Sequence, residues 1–255
     1  MAKKKHRLPQ VVLGVDVGGT GIKGALVDTK AGTLLGDRHR IPTPQPATPK
    51  AVARTVAEIA EHFKWSGRMG CTVPARVRQG VVETAANIDE AWIETDAAAL
   101  FREATGHPAL VLNDADAAGL AEVRFGAGAG ERGTVLVLTL GTGIGSALFV
   151  DGRLVPNTEL GHLERDGSTL EIRASNATRK QEDLSWEAWA ERVQEALEYL
   201  EFLLAPDLVV IGGGVSRPQR WERFAHLLEA RARLVPAKLE NEAGLIGAAW
   251  AARRS

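Results

Sequence analysis

Two runs of aliphatic and β-branched residues, Val11 to Val17 and Val135 to Leu140, each break on a glycine cluster and resume as a second apolar run. Each reads as a strand, a tight turn and a returning strand, because glycine punctuates the pattern and the apolar positions resume beyond it. The two breaks are near copies. Gly19-Thr20-Gly21-Ile22 leads into Gly24-Ala25-Leu26-Val27, and 122 positions later Gly141-Thr142-Gly143-Ile144 leads into Ser146-Ala147-Leu148-Phe149. Self-similarity at that spacing in 255 residues predicts one structural unit used twice, hence two lobes.

Elsewhere the period alternates between strand and helix. Leu34-Leu35 opens a third strand ending near Ile41, and Thr43 to Pro49 is a proline-rich connector that cannot be helical. Val52, Val56, Ile59 and Phe63 recur at helical spacing, predicting a helix from about Pro49 to Phe63. Met69 to Val73 reads as a strand stopped at Pro74, and Val81-Val82 as another short one. Thr95 or Asp96 caps a helix through Phe101, Ala109 to Leu112 is a buried strand ending on Asn113-Asp114, and Ala115 to Phe125 is a small-residue helix. Ser185 caps a strongly amphipathic helix with Trp186, Trp189, Val193, Leu197, Leu200 and Leu204 on one face. Leu208 to Ile211 is a buried strand running into Gly212-Gly213-Gly214, and Ala243 to Ala252 is a closing helix. Strands and helices alternate throughout, so the class is α/β.

Composition narrows the possibilities. With 45% hydrophobic residues the chain can bury a sizeable core, and a formal charge of −1 creates no field that would draw it to nucleic acid or an anionic membrane. Cys71 is the sole cysteine, which excludes an intramolecular disulfide and any multi-cysteine metal site, and suits a reducing cytoplasm. Lys3 to Arg7 is a basic tail, since Pro9 and Asp16 leave too short an apolar run for an export signal. Gly133 to Val150 is uncharged for 18 residues, near membrane-span length, but its glycines at 141, 143 and 145 predict two buried strands around a turn.

The candidate chemistry clusters at strand ends. Asp16-Val17-Gly18-Gly19-Thr20, followed by Lys23, places a carboxylate where it can hold Mg²⁺ directly or through water while loop N–H groups cradle phosphate. This is not a P-loop, which requires Lys-Ser or Lys-Thr after its last glycine. Two such turns facing each other would clamp a phosphate chain, and Gly213-Gly214 offer a third glycine turn. Asp114, after a buried strand and at a helix start, reads equally as an N-cap or as a catalytic carboxylate.

Taken in order, Asp16-x-Gly18-Gly19-Thr20-x-x-Lys23, Asn113-Asp114-Ala115-Asp116-Ala117-Ala118, Gly141-Thr142-Gly143-Ile144-Gly145, Glu159-Leu160-Gly161-His162 and Gly212-Gly213-Gly214-Val215 resemble the motifs of the ROK family of sugar kinases. The match runs from about Val11 to Ala252. Within the family the chain looks most like the polyphosphate glucokinases, through Ile41 to Pro49, Thr84 to Asn87, Thr95 to Phe101 and Val155 to Leu163. The resemblance implies the actin-like ATPase (ribonuclease H-like) fold: a duplicated two-lobe α/β sugar kinase, with lobes 1–113 and 114–255 and the C-terminal helix 242–255 packing back on the first.

It also implies chemistry. Asp114 would be general base for the 6-hydroxyl of glucose, an orienting role in which weak basicity suffices because the proton leaves late in a loose transition state. Asn87, Asn113, Asp114, Glu159, His162 and Glu171 would bind glucose, pairing acceptors and donors with its hydroxyls. Asp16, Gly18, Gly19, Thr20, Gly21, Lys23, Gly141, Thr142, Gly143, Gly213 and Gly214 would hold the phosphoryl donor, with Asp16 on Mg²⁺. Glu159 and His162 fall on one side if their segment is a helical turn.

Two departures from the family pattern stand out. The zinc-binding cysteine cluster downstream of the histidine is absent from Gly167 to Ser175, so no zinc is expected. Pro74-Ala75 replaces the usual Pro-Gly, which strains the backbone if Ala75 needs positive φ. Polyphosphate is the expected donor, steered by cations among Lys23, Arg76, Arg78, Arg173, Arg179, Lys180, Arg217 and Arg220, with ATP a weaker one. The alternatives are a strictly ATP-dependent hexokinase acting on glucose or mannose, a non-catalytic sugar sensor, and an actin-like ATPase. About ten residues before the first strand are too few for the sensors' DNA-binding module. No nucleic acid or membrane partner is expected, and the resemblance suggests a homodimer.

Overall fold

The computed structural model describes residues 10–86 and 88–253; the Lys3 to Arg7 tail and Asn87 lie outside them. The chain divides into two compact units, Met1–Ala118 with Gly244–Ser255, and Gly119–Ala243.

In the first unit, β1 (Val11–Val17) and β2 (Ile22–Asp28) form an antiparallel hairpin with seven paired positions, from Val11 opposite Asp28 to Val17 opposite Ile22. The expected third strand is in fact two pieces, β3 (Thr33–Leu34) and β4 (His39–Ile41), both paired with β2. Leu34 pairs with Val27 but His39 with Gly24, so five steps on the edge match three on β2. The two extra residues bulge around Gly36, whose φ is +94°. Then come α1 (Pro49–His62), β5 (Met69–Val73), the small hairpin β6 (Val77–Arg78) and β7 (Val81–Val82), α2 (Ala97–Thr105), β8 (Ala109–Asn113) and α3 (Asp114–Phe125). The sheet order is β3-β2-β1-β5-β8, with β1, β5 and β8 parallel. Thr48 caps α1 and Pro49 opens it; Asp96 caps α2. Val52, Val56 and Ile59 bury one face of α1 in a core with Leu13, Val15, Met69 and Trp92.

The second unit repeats this plan. After β9 (Thr134–Leu140) and β10 (Ile144–Val150), again an antiparallel hairpin of seven pairs, come β11 (Arg153–Val155), the hairpin β12 (Glu164–Arg165) and β13 (Ser168–Thr169), α4 (Leu170–Ala174), α5 (Asn176–Gln181), α6 (Trp186–Leu204), β14 (Leu208–Gly212), α7 (Pro218–Trp221) and β15 (Arg233–Pro236). The order β11-β10-β9-β14-β15, with β9, β14 and β15 parallel, is that of the first sheet. The sequence duplication is therefore a duplication of topology, and the expected α/β class holds. Ser185 caps α6, whose Trp189, Leu197 and Leu200 are buried against β9 and β14 residues.

The last helix, α8 (Ala243–Ala252), belongs mainly to the first unit, where glycines let backbones meet. A Cβ on Gly14 of β1 would lie 2.3 Å from the Leu245 carbonyl oxygen, and one on Gly70 of β5 2.0 Å from that of Ala248. Any side chain at either position would push α8 off the sheet.

Candidate functional site

In the first hairpin four residues, Gly18 to Gly21, join β1 to β2, and the Gly18 N–H donates to the Gly21 carbonyl at 3.2 Å. None of these glycines has positive φ. At Gly21 the constraint is space rather than conformation. A Cβ on Gly21 would strike the Arg40 guanidinium 2.4 Å away, which itself donates to the Thr20 carbonyl at 2.7 Å. A Cβ on Gly19, in contrast, meets nothing within 4 Å, so the exposed Gly19-Thr20 tip presents bare backbone to any anion. Thr43 Oγ1 donates to the Gly18 carbonyl, tying the proline-rich connector to the turn.

Asp16 stands at the end of β1, half-buried. Its Oδ1 accepts from Thr72 Oγ1 at 2.8 Å and its Oδ2 faces Lys23 Nζ at 3.3 Å. This positions one carboxylate beside a phosphate-type loop. Among the described residues no cluster of three or more His, Cys, Asp or Glu could hold a metal. A single aspartate fits Mg²⁺, which takes one or two protein carboxylates and completes its shell from phosphate and water.

Asn113 ends β8 and takes the cap position of α3. Asn113 Oδ1 accepts the Asp116 N–H at 3.0 Å, the reach of an N-cap, while Nδ2 donates to the Ala75 carbonyl at 3.1 Å. The cap is thus Asn113, and Asp114 is the half-buried first residue of the helix, with Oδ1 accepting from the Ala115 N–H at 2.8 Å. The concern over Ala75 is also resolved: its φ is not positive, the residue is buried, and its carbonyl is what orients Asn113. A cavity of about 360 Å³ in this unit is lined by Gly18, Gly19, Gln45, Pro74, Ala86 and Asp89 among others, joining the hairpin to the connector and to the segment around position 87. Cys71 takes no part, being fully buried on β5 with its thiol pushed well up by that burial.

In the second hairpin the turn is three residues, Gly141 to Gly143, closed by the Gly141 N–H donating to the Gly143 carbonyl at 2.9 Å. Again a Cβ on Gly141 would meet nothing within 4 Å, whereas one on Gly143 would lie 2.0 Å from Glu171 Oε2. That carboxylate accepts from the Ile144 N–H at 2.9 Å. Leu160 to His162 forms a single 3-10 turn, which puts Glu159 and His162 on one side as expected, with His162 Nε2 3.8 Å from Glu159 Oε2. Ser146 Oγ accepts from the Leu160 N–H at 3.0 Å and donates to the Thr158 carbonyl, so β10 carries this loop. Glu159, His162 and Glu171 are therefore all tied to the first residues of β10.

The third glycine turn follows β14. Gly213 has φ +84°, and a Cβ there would lie 2.7 Å from the Leu140 carbonyl oxygen, so only glycine fits. Gly214 accepts at its carbonyl from Arg220 Nη1 at 2.9 Å. Of the cations expected to guide a polyanion, most are already matched. Arg76 and Arg78 share Glu83, Arg173 binds Glu195 and faces Asp166, Arg217 faces Glu240, and Lys23 faces Asp16. Sequence reasoning missed Arg40, Thr72 and Ser146, which support the site from other strands; no local pattern marks them.

The comparisons agree with this geometry. A ROK family model matches residues 12–171. The chain is 50% identical over 239 residues to the polyphosphate glucokinase of Mycobacterium tuberculosis (strain CDC 1551 / Oshkosh), spanning 93% of this chain and 89% of that one. The crystal structure of inorganic polyphosphate/ATP-glucomannokinase from Arthrobacter sp. strain KM matches with a TM-score of 0.90 at 50% identity, covering 94% of this chain and 97% of the other. A ROK family glucokinase from Streptomyces griseus, in complex with glucose and AMPPNP, matches with a TM-score of 0.80 at 25% identity, over 96% and 100% of the two chains. The duplicated sheets, the paired glycine hairpins and these likenesses together make the fold the actin-like one of two-lobe sugar kinases, and the chain belongs to the ROK family.

Proposed function

We propose that this chain transfers a phosphoryl group from inorganic polyphosphate, or from ATP, to the 6-hydroxyl of glucose, giving glucose 6-phosphate. The observation that carries this reading is the 50% identity to a polyphosphate glucokinase across 93% of the chain. The geometry supports it. The bare tips at Gly19 and Gly141 offer backbone N–H groups without side chains in the way, which suits phosphate oxygens.

Asp114 is assigned as the general base. It takes the 6-hydroxyl proton as the O6–P bond forms and the bond to the rest of the donor breaks, leaving a polyphosphate one unit shorter or ADP. Asn113, capped against α3 and fixed by the Ala75 carbonyl, holds the strand end from which Asp114 projects. Asn113, Asn87, Glu159, His162 and Glu171 are assigned to glucose hydroxyls. Asp16 is assigned to Mg²⁺, which when bound neutralises charge on the donor phosphates. Lys23, facing Asp16, holds that carboxylate in place. ATP remains a donor in this reading because a cavity of about 460 Å³ beside Ser216, walled by Val235, Pro236 and Ala237, has the apolar character a nucleoside base needs. Among the described residues no helix is long and apolar enough to cross a membrane, and a cytoplasmic homodimer is the form we assign by family resemblance.

The test is to incubate the protein with glucose and Mg²⁺ and either donor, then measure glucose 6-phosphate. Product from polyphosphate is expected, with less from ATP. No product from either would remove the kinase reading, and product from ATP alone would replace it with an ATP-dependent hexokinase.

A further inference from the structure

Three arginines of the second unit gather beside the third glycine turn. Arg179 of α5 lies with Cζ 4.2 Å from the centroid of the Trp186 ring, and Arg223, just beyond α7, with Cζ 5.1 Å from the same ring. Arg220 of α7 donates to the Gly214 carbonyl. Their proximity is felt electrostatically: the Arg179 guanidinium is held below its ordinary value by desolvation first and then by the charges of Arg220 and Arg223, against which Asp183 pulls the other way. Among the described residues none of the three makes an ion pair, although every arginine the sequence nominated outside this cluster has one. Glu187, at the start of α6, is held below the usual carboxylate range by its own backbone N–H and Ser185 first, and only after them by the charges of Arg223 and His226.

Like charges packed together are costly unless an anion fills the space between them. The fixed forks of arginine suit phosphate oxygens bidentately, and stacking on an indole pre-orders Arg179 and Arg223. Arg220 and Arg223 are exposed, so the cluster is open to a ligand. We infer that Arg179, Arg220 and Arg223 form a docking subsite for the distal phosphates of an inorganic polyphosphate chain, continuing from the glycine turn at Gly213-Gly214. The inference rests on the reading of this chain as a polyphosphate-using kinase. It adds a reason for donor choice: a long chain reaches the trio, whereas the phosphates of ATP end in a nucleoside.

The test compares the wild type with R220Q, with the triple variant R179Q/R220Q/R223Q, and with R153Q, an exposed arginine of β11 that controls for net charge. Kinetics are measured with long linear polyphosphate, tripolyphosphate and ATP. The triple variant is expected to raise KM for the long chain about tenfold, and R220Q about two- to threefold, with kcat and the KM for the two short donors within about twofold of wild type. Binding of long polyphosphate without glucose should lose part of its salt dependence in the variants, because fewer counterions are released. R179K keeps the charge on Trp186 and should retain most of the long-chain affinity even if R179Q disturbs folding. Unchanged long-chain KM in R220Q and the triple variant, or equal rises for all three donors, would overturn the inference. If the wild type makes no glucose 6-phosphate from polyphosphate, the reading of polyphosphate as donor fails, and the binding measurement then judges the arginine subsite alone.

Discussion

The two glycine hairpins share a backbone and differ in what stands behind it. Gly19 and Gly141 are both open, and Gly21 and Gly143 are both occupied by the tip of a charged side chain, but that side chain is Arg40 in the first unit and Glu171 in the second. Arg40 reaches an exposed carbonyl at the turn, whereas Glu171 satisfies the N–H of the buried Ile144. Neighbouring positions diverge in the same way. β1 ends with Asp16 opposite Lys23, where β9 has Thr139 opposite Gly145, and β8 ends on Asn113-Asp114, where β15 runs into Pro236-Ala237. Duplication supplied two equivalent backbone turns; Asp16 and Asp114 stand in the first unit, Glu159 and Glu171 in the second. The second unit also holds the cluster of Arg179, Arg220 and Arg223.

The sharpest way to break this contrast is to remove the carboxylate that has no counterpart. Asp114→Asn keeps the shape and is expected to lower kcat by about 10²- to 10⁴-fold while glucose still binds, as isothermal titration would show; near-normal turnover would dismiss Asp114 as base. Next comes the support of the hairpins. Glu171→Ala leaves the buried Ile144 N–H without its acceptor and should cost about 1–3 kcal/mol in denaturant unfolding, whereas Arg40→Ala should change stability by less than about 0.5 kcal/mol. Glu171→Gln keeps an acceptor and should recover most of that loss. Equal effects in Arg40→Ala and Glu171→Ala would erase the distinction.

A third probe addresses what the hairpins share. Gly19→Ala and Gly141→Ala add a methyl group in open space, so melting should stay close to wild type while donor KM rises roughly tenfold. A donor KM unmoved in both would mean phosphate does not touch these tips.

The smallest effect concerns charge matching. Glu83 is held below the usual carboxylate range by its hydrogen bond from Arg76 first and by the charge of Arg78, so whatever stability it lends is fully present above the unfolded value and is lost as pH falls through the folded one. The stability difference between wild type and Glu83→Gln should therefore shrink on acidification. Growth of that difference at low pH would contradict the pairing.

Much of this was legible in the chain because long elements carry periodicity. Both hairpins, α1, α6, the buried strands β5 and β14 and the half-buried β8 follow from apolar spacing and caps such as Ser185. The segment from Arg153 to Gln181 was not, since β11, β12, β13, α4 and α5 are two to six residues long and too short to show a period. The edge of the first sheet was misread as one strand because a two-residue bulge leaves the apolar pattern intact. At the site, residue types pointed to Asp16, Asp114 and the glycines. The division of labour between Asn113 as cap and Asp114 as first helical residue depends on a carbonyl 38 residues away, and no local spacing encodes it.

The packing of α8 has a consequence for how the molecule comes into being. Gly244, at its start, places a would-be Cβ 3.3 Å from Asp16 Oδ1, and Leu245 and Ala248 lie against β1 and β5. The first unit takes its core from both sides of the stretch Gly119 to Ala243, so it can close only after that stretch has been made. The half begun first is finished last, and its aspartate, already held by Thr72 and Lys23, gains its last neighbour from that helix.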